Sequence, residues 1–355
     1  MLLPQPVLTT LIDLCGGAVH LPGDPGYAAG AQGLSPLAVA YPGDEAEVSE
    51  LVAFAHRHGL RVAVQRTAMG CRPMSALHDA ILLRTAGMSG VRVEAGLVRV
   101  QAGALWGDVV DAVGDRLVPV PDDPRLGVVG STLEGGIGTF GRLLGLASSR
   151  VVGARVVLAS GDAREADEDL LWAVRGGGPS AAVVTELVLA TAEARTLSLW
   201  TAQVDPDEAV RLLRDAHPDG AGVTVRLSDG RLRADVVTFD GPGEPLSAGT
   251  VLRDLRSEHA TTGPLAARFL EHLGVDDLRT LARTPAEVTV RLAGGALLGQ
   301  PTGARTHTSS TYLVTSYGAP ITLGVDAIAL PAEVEDRLVA LRRRIDPAGT
   351  FVLPV

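Results

Sequence analysis

Three glycine-rich loops lie in the first half of this chain, each beside a segment with the composition of a β-strand. They are VQRTAMG (64–70), LGVVGSTLEGGIG (126–138) and WAVRGGGPSAAVVT (172–185). Glycine lets the backbone approach a ligand closely and leaves amide N–H groups free to point inward, as cradling a pyrophosphate requires. One such loop is ordinary turn chemistry, but three together indicate a phosphate-bearing ligand.

Two common phosphate-binding motifs do not fit these loops. A P-loop requires a lysine, and all 31 basic residues of the chain are arginine. No G-x-G-x-x-G lies in a strand-to-helix turn near the start, which argues against a Rossmann fold. The net charge of −10, without a basic stripe, argues against nucleic acid as the main partner.

Length and composition limit the remaining classes. The 355 residues suggest two domains. The two cysteines provide neither a disulfide framework nor a metal site. The apolar stretches fall short of the roughly 18 residues that span a bilayer, and the start has no basic n-region. We therefore expect a cytoplasmic protein with a small-molecule partner, no membrane partner and no metal.

The periodicity of the first half predicts alternating strands and helices. The expected helices are 43–59, with Asp44 as N-cap and Val48, Leu51, Val52 and Ala55 on one face, then 106–113 and one after 168. A turn-rich segment without a helix is expected at 21–27. The expected strands are 37–42, 60–65, 80–83, a hairpin over 91–103, 116–120, a pair turning at 160–162, and one ending near 191.

After about residue 195 the pattern changes to a second α+β unit. We predict helices at 207–216 and 249–258, and strands at 223–227, 232–239 and 287–297. The tail is predicted as a helix that ends at Asp346-Pro347. The resulting domains are 1–195, completed by 325–355, and 196–324.

In order and spacing, these motifs resemble the FAD-binding (PCMH-type) domain of the vanillyl-alcohol oxidase and berberine-bridge-enzyme-like flavoproteins. The resemblance covers residues 36–191 and extends to VRLAGGAL (290–297) and RIDPAGTF (344–351). It implies an α+β fold with a two-lobed FAD-binding domain and a smaller substrate domain, an antiparallel sheet backed by helices. By position, it implies that FAD is held by Gln65, Arg66, Thr67, Ala68, Met69, Gly70, Gly127, Val128, Gly130, Ser131, Gly135, Gly136, Gly138, Val183 and Val184.

Several positions depart from the family pattern. Met69 stands where many members have the histidine that bonds covalently to the flavin, and Asp123 stands where bicovalent members have a cysteine. Neither residue can form those links, so non-covalent FAD is expected. Glu134 replaces a glycine of the second loop, and Pro179 lacks an N–H that the family has available.

The catalytic candidates lie in the substrate domain. Its polar candidates are Arg291, His307, Tyr312 and Tyr317. We select Arg291 as a substrate-binding or charge-stabilising residue and Tyr312 as a cavity-facing hydroxyl. The alternatives are a sheet-surface arginine and a packed strand aromatic. The catalytic base is not placed.

Two functions remain open, with a catalytically inactive binding protein as a third. The first is an FAD-dependent oxidoreductase that oxidises a small organic substrate, an alcohol or a C–N or C–C centre, in secondary metabolism. The alternative is a flavin-poor or flavin-free member that catalyses a non-redox cyclisation or rearrangement in natural-product biosynthesis, for which an apolar pocket that places a reactive substrate suffices.

Overall fold

The structure is a computed structural model that describes residues 4–70, 74–121, 123–179, 182–215, 217–218, 220–240, 245–255, 265–298, 302–305, 310–327 and 329–353. Its strands form three sheets, of four, five and seven strands. The mixture of helices and largely antiparallel sheets confirms the predicted α+β class. None of the described helices has the length and apolar character that crossing a bilayer requires.

The first 195 residues contain two sheets. The helices here are α1 (Gln5–Asp13), α2 (Pro25–Ala31), α3 (Glu45–Arg57), α4 (Trp106–Val113), α5 (Val128–Leu133), α6 (Gly141–Leu144) and α7 (Glu168–Val174). The four-stranded sheet has the order β1-β2-β4-β3, built from β1 (Val19–His20), β2 (Ala38–Ala40), β3 (Arg61–Gln65) and β4 (Ala80–Arg84). The five-stranded antiparallel sheet has the order β5-β6-β9-β7-β8, built from β5 (Val91–Glu94), β6 (Leu97–Gln101), β7 (Val151–Val157), β8 (Ala163–Glu165) and β9 (Val183–Ala190).

Helix α3 shows how the sequence places these elements. The Asp44 side chain accepts a hydrogen bond from Glu47 N at 2.9 Å, which satisfies one of the free N–H groups at the helix start. The predicted apolar face of α3 is buried in the core beside β2, β3 and β4. Helix α3 thereby connects parallel strands of the first sheet and leaves the loop after β3 at the sheet edge.

Residues 197–326 contain one antiparallel sheet backed by helices, the architecture predicted for the substrate domain. Its order is β10-β12-β11-β14-β15-β13-β16. The strands are β10 (Leu197–Val204), β11 (Gly222–Ser228), β12 (Arg231–Phe239), β13 (Leu265–Leu270), β14 (Val288–Leu292), β15 (Tyr312–Tyr317) and β16 (Val325–Asp326). The helices are α8 (Pro206–Arg214), α9 (Ala248–Leu255) and α10 (Val275–Leu281). Strand β16 lies just beyond residue 324, the predicted end of the substrate domain. The domain boundaries remain predictions.

The tail returns to the first sheet. Helix α11 (Ala332–Ile345) ends at Asp346, and the backbone of residues 350–352 pairs with β3. Val62 N donates to Thr350 O at 2.7 Å, and Val352 N donates to Val62 O at 2.8 Å. The Asp346 carboxylate accepts from the backbone N–H groups of Thr350 and Phe351, which fixes the turn between helix and strand.

Three predictions of secondary structure were wrong. The strand predicted at 287–297 ends at Leu292 as β14, and Gly295–Leu298 form a short 3-10 helix. Residues 116–120 form no strand beyond a single bridge from Leu117 to Ala192, and the prolines at 119 and 121 have no N–H for a ladder. The segment predicted to lack a helix contains the start of α2. Pro25 occupies the first position of that helix, where its fixed φ is favourable and its missing N–H costs nothing.

Candidate functional site

A cavity of about 690 Å³ lies between the glycine loops and the seven-stranded sheet. Its volume falls within the roughly 300–1,000 Å³ range of small-molecule and cofactor sites. One wall consists of the loop after β3, the segment 126–137 and the start of β9. The opposite wall consists of side chains from β11, β13, β14 and β15. The cavity therefore lies between the glycine-rich first half of the chain and the seven-stranded sheet.

The first glycine loop lines the cavity along its whole predicted length. The residues concerned are Gln65, Arg66, Thr67, Ala68, Met69 and Gly70. Ala68 and Gly70 both adopt left-handed backbone conformations, with φ of 61° and 65°. Buried Gln65 accepts a hydrogen bond of 2.6 Å from Arg84 Nη1, which anchors the end of β3. The loop is thus a tightly turned backbone surface held by a buried polar contact.

The second loop divides into residues that line the cavity and residues that do not. Gly127, Gly130, Ser131 and Gly136 line it, as do Val183 and Val184 of β9. Ser131 is also fixed, because its hydroxyl accepts from Trp106 Nε1 at 2.8 Å. These placements agree with the positions that the resemblance implies, while their contacts with a cofactor remain a prediction.

Three predicted cofactor residues fall outside the cavity lining. Val128 is fully buried in the core. A Cβ at Gly138 would lie 1.8 Å from Val120 O, so this glycine permits the close approach of two backbone segments. A Cβ at Gly135 would lie 2.4 Å from Arg305 Cδ. The glycines at 135 and 138 therefore make room for protein atoms, and the cavity lining gives no support to their predicted contact with FAD.

The lining of this wall fits FAD. Gly130 is exposed, lines the cavity and would present a Cβ with no heavy atom within 4 Å, so bare backbone faces open space there. The Arg66 side chain covers Gly127 and donates from Nε to Gly103 O at 2.5 Å, which places a cation in the same wall. Bare backbone beside a positive charge suits an anionic dinucleotide. Met69 and Asp123, the positions of the family's covalent links, also line the cavity.

The substrate-domain wall follows the alternation of β-strands. On β15, Leu313, Thr315 and Tyr317 line the cavity, whereas Tyr312 and Val314 lie in the core on the opposite face. Tyr312 is only 4% exposed and packs with apolar residues of that core. Because an odd sequence separation puts two residues on opposite faces of a strand, the prediction that Tyr312 faces the cavity is wrong, and Tyr317 occupies that place.

Arg291 on β14 lies in the cavity lining, as selected from the sequence. Burial lowers its pKa to about 10, and the nearby Tyr317 opposes the shift. Burial raises the pKa of Tyr317 above its ordinary value; Arg291 counteracts this rise, and the carboxylates of Asp123 and Glu287 add to it. Both groups are therefore protonated at neutral pH, Arg291 as a cation and Tyr317 as a neutral phenol.

Glu287 is the carboxylate nearest to Tyr317 in the strand register. Val288 pairs with Ser316 across β14 and β15, so Glu287 and Tyr317 are the next residues at that end, and both line the cavity. Asp123 approaches from the other wall and is only 3% exposed. Its carboxylate is held by Arg125, at 2.6 Å from Nη2. The site thus combines a phenol, a guanidinium and two carboxylates.

A buried cluster of charged residues on β11 and β12 forms part of the sheet that makes the same wall. Asp235 is 1% exposed and accepts hydrogen bonds from Arg226, from Arg233 Nε at 2.9 Å and from Thr201 Oγ1 at 2.8 Å. Arg226 lines the cavity. Burial lowers the pKa of Arg226, and Asp235 counteracts this shift. The pair fixes the orientation of a cationic side chain in the substrate-domain wall.

Sequence reasoning missed several of these residues. Glu287, Arg226, Asp123 and Arg305 line the cavity and were not proposed as site residues. Strand alternation applied backwards from Arg291 would have found Glu287, four residues earlier on the same face. No comparable signal marks Arg305. His307, also considered from the sequence, lies outside the described residues.

Comparisons with known proteins support the cofactor. Residues 36–167 match the FAD binding domain family. The chain is 32% identical over 178 residues to an uncharacterized FAD-linked oxidoreductase, YvdP, of Bacillus subtilis, covering 46% of this chain and 40% of that protein. It is 32% identical over 149 residues to (R)-6-hydroxynicotine oxidase of Paenarthrobacter nicotinovorans, covering 40% and 32%. The chain therefore matches less than half the length of either relative.

The fold extends further than the sequence similarity. The crystal structure of Bermuda grass isoallergen BG60 superposes with a TM-score of 0.80 at 15% identity, over 97% of this chain and 98% of the other. This likeness shows that the two proteins share a fold. The match of residues 36–167 to the FAD binding domain family confirms the resemblance for this part of the chain and supports FAD as the cofactor.

Proposed function

We propose that the chain is an FAD-dependent oxidoreductase that holds its flavin non-covalently and oxidises a small organic substrate. The observation that carries this proposal is the cavity itself, in which glycine loops of an FAD binding domain and a sheet wall bearing Arg291 and Tyr317 line one space. The relatives named as FAD-linked oxidoreductases support the reaction class. A place in secondary metabolism remains a prediction.

We assign proton transfer and charge stabilisation to side chains in the sheet wall of the cavity. When bound, FAD supplies an acceptor for a hydride from the substrate. Tyr317, a neutral phenol at neutral pH, donates a hydrogen bond to the substrate oxygen or nitrogen. Glu287 accepts the proton that this heteroatom loses. Arg291, cationic and buried, stabilises the negative charge that develops there, an effect that is strong where water is excluded.

Non-covalent binding follows from Met69. A thioether cannot take the place of the histidine that forms the covalent link in many family members, and the carboxylate of Asp123 cannot replace the cysteine. Both side chains line the cavity, which supports non-covalent binding. Affinity for FAD then depends on the loop backbone, on Arg66 and on packing.

The first test is an absorbance spectrum of the purified protein, repeated after denaturation and filtration and again after incubation with FAD. A flavin band that passes the filter supports non-covalent FAD. A colourless protein that takes up no FAD contradicts the proposal and favours the non-redox cyclisation.

The residue roles are tested with two tyrosine variants on the same strand. Tyr317→Phe removes the cavity hydroxyl and should lower kcat by about 10²-fold with unchanged FAD content. Tyr312→Phe is the matched control, because Tyr312 faces the apolar core, and it should leave kcat within about twofold. Equal losses of kcat in both variants would contradict the assignment of Tyr317.

A further inference from the structure

Residues 302–305 cross from the substrate domain onto the third glycine loop. Ala304 N donates to Trp172 O at 3.0 Å, and Arg305 N donates to Arg175 O at 3.1 Å. Ala304 is fully buried in the core of the FAD-binding domain. The crossing is therefore fixed by backbone hydrogen bonds and packing, and it delivers the Arg305 side chain into the cavity wall.

Glycines of two loops make room for Arg305. A Cβ at Gly176 would lie 2.3 Å from Arg305 Cβ, and a Cβ at Gly135 would lie 2.4 Å from Arg305 Cδ. Real side chains do not tolerate such distances, so alanine at either position would displace the arginine. The second and third glycine loops thus enclose this side chain from two directions.

The guanidinium of Arg305 lies beside the unusual carboxylate of the second loop. Nη1 donates to Ala327 O at 2.9 Å, and Nη2 lies 3.8 Å from Glu134 Oε2. The side chains of Arg305 and Glu134 are 10% and 28% exposed, and both line the cavity. In this partly buried setting two opposite charges at such a distance interact more strongly than in water.

We propose that Arg305 neutralises Glu134, so that the glycine-loop wall accepts an anionic dinucleotide despite its carboxylate. An unpaired carboxylate in this wall would repel the phosphates of the ligand and weaken its binding. Arg305 is a positioning residue in this proposal, acting through Glu134. The proposal rests on the proposed FAD binding.

The test is a double-mutant cycle on FAD affinity, measured by quenching of flavin fluorescence, together with the Tm of each ligand-free protein. Arg305→Gln should weaken FAD binding by about tenfold or more, because Glu134 is then left uncompensated. Glu134→Gln should bind FAD as tightly as the wild type or more tightly. The double variant should recover affinity to within about threefold of the wild type.

Two further measurements keep the proposal testable. Added salt should narrow the gap between Arg305→Gln and wild type, because it screens repulsion. If Arg305→Gln does not fold, Arg305→Lys retains the charge and should bind FAD within about threefold of the wild type. The control is Arg99→Gln, whose partner Glu186 is 3.0 Å away and outside the cavity lining; it should leave affinity unchanged.

The outcomes separate this proposal from the proposed function. If the double variant binds FAD as weakly as Arg305→Gln, or if the wild type and all three variants bind FAD with equal affinity, the proposed coupling between Arg305 and Glu134 is wrong. The proposed oxidoreductase function is not affected by either result. The coupling is also wrong if Arg305→Lys folds but loses affinity for FAD. A wild-type protein that takes up no FAD overturns both.

Discussion

The two walls of the cavity are built on different principles. The FAD-domain wall presents backbone at Gly130, where a Cβ would meet no heavy atom within 4 Å. The sheet wall presents side chains at every second position of β14 and β15, where Arg291 and Tyr317 lie. The comparison teaches that a ligand common to a family can be held by backbone, whereas selectivity for one substrate needs side chains.

The largest expected effect concerns the ion cluster behind the sheet wall. Asp235→Ala leaves Arg226 and Arg233 without this carboxylate in a buried site and should reduce the free energy of unfolding by about 3–5 kcal/mol. Urea unfolding measures the change. Asp276→Ala, whose side chain is 94% exposed and pairs with Arg279, should cost about 0.5 kcal/mol or less. If both variants lost a similar amount of unfolding free energy, the buried cluster would stabilise the protein no more than an exposed ion pair does.

The second prediction tests the backbone wall. Gly130→Leu places a side chain in open cavity space and should weaken FAD binding by about 100-fold, or about 2.7 kcal/mol. The ligand-free protein should keep its Tm, because Gly130 lies in α5 and a Cβ there meets no heavy atom within 4 Å. Gly43→Leu, at an exposed glycine away from the cavity, is the control for FAD titration. Unchanged FAD affinity in Gly130→Leu would remove this residue from the cofactor wall.

The smallest expected effect tests the alternation within β14. Val290 is fully buried in the apolar core, so Val290→Thr buries a hydroxyl there and should cost about 1–3 kcal/mol of unfolding free energy. Its neighbour Thr289 faces the cavity, so Thr289→Val should change stability by about 0.5 kcal/mol or less. Thermal unfolding of the two variants measures the difference. If Thr289→Val lost more unfolding free energy than Val290→Thr, the two faces of β14 would be wrongly assigned.

The same contrast explains what the sequence could predict. The glycine loops could be predicted because a backbone segment that must lack side chains shows itself as glycines within a few consecutive residues. The sequence could not say which atoms fill the freed space: Gly130 faces the cavity, but Gly135 makes room for Arg305, which is distant in sequence.

The sheet wall was harder to predict, since both faces of β15 carry apolar and polar residues. Tyr312 and Tyr317 lie five positions apart, and only the helices packed on one face decide which tyrosine is in the core. The Arg305 crossing was beyond sequence reasoning because it depends on contacts between domains. Arg291 was found because its sequence resembles the family pattern.

The pairing of residues 350–352 with β3 has a consequence for the order in which the protein matures. Phe351 and Val352 line the cavity beside the first glycine loop, although they follow it by more than 280 residues. Domains generally begin to fold from the N-terminus while the ribosome is still at work. This wall, however, cannot be completed until residue 352 has been synthesised and released from the exit tunnel. FAD is therefore expected to be captured only after translation of this region has finished.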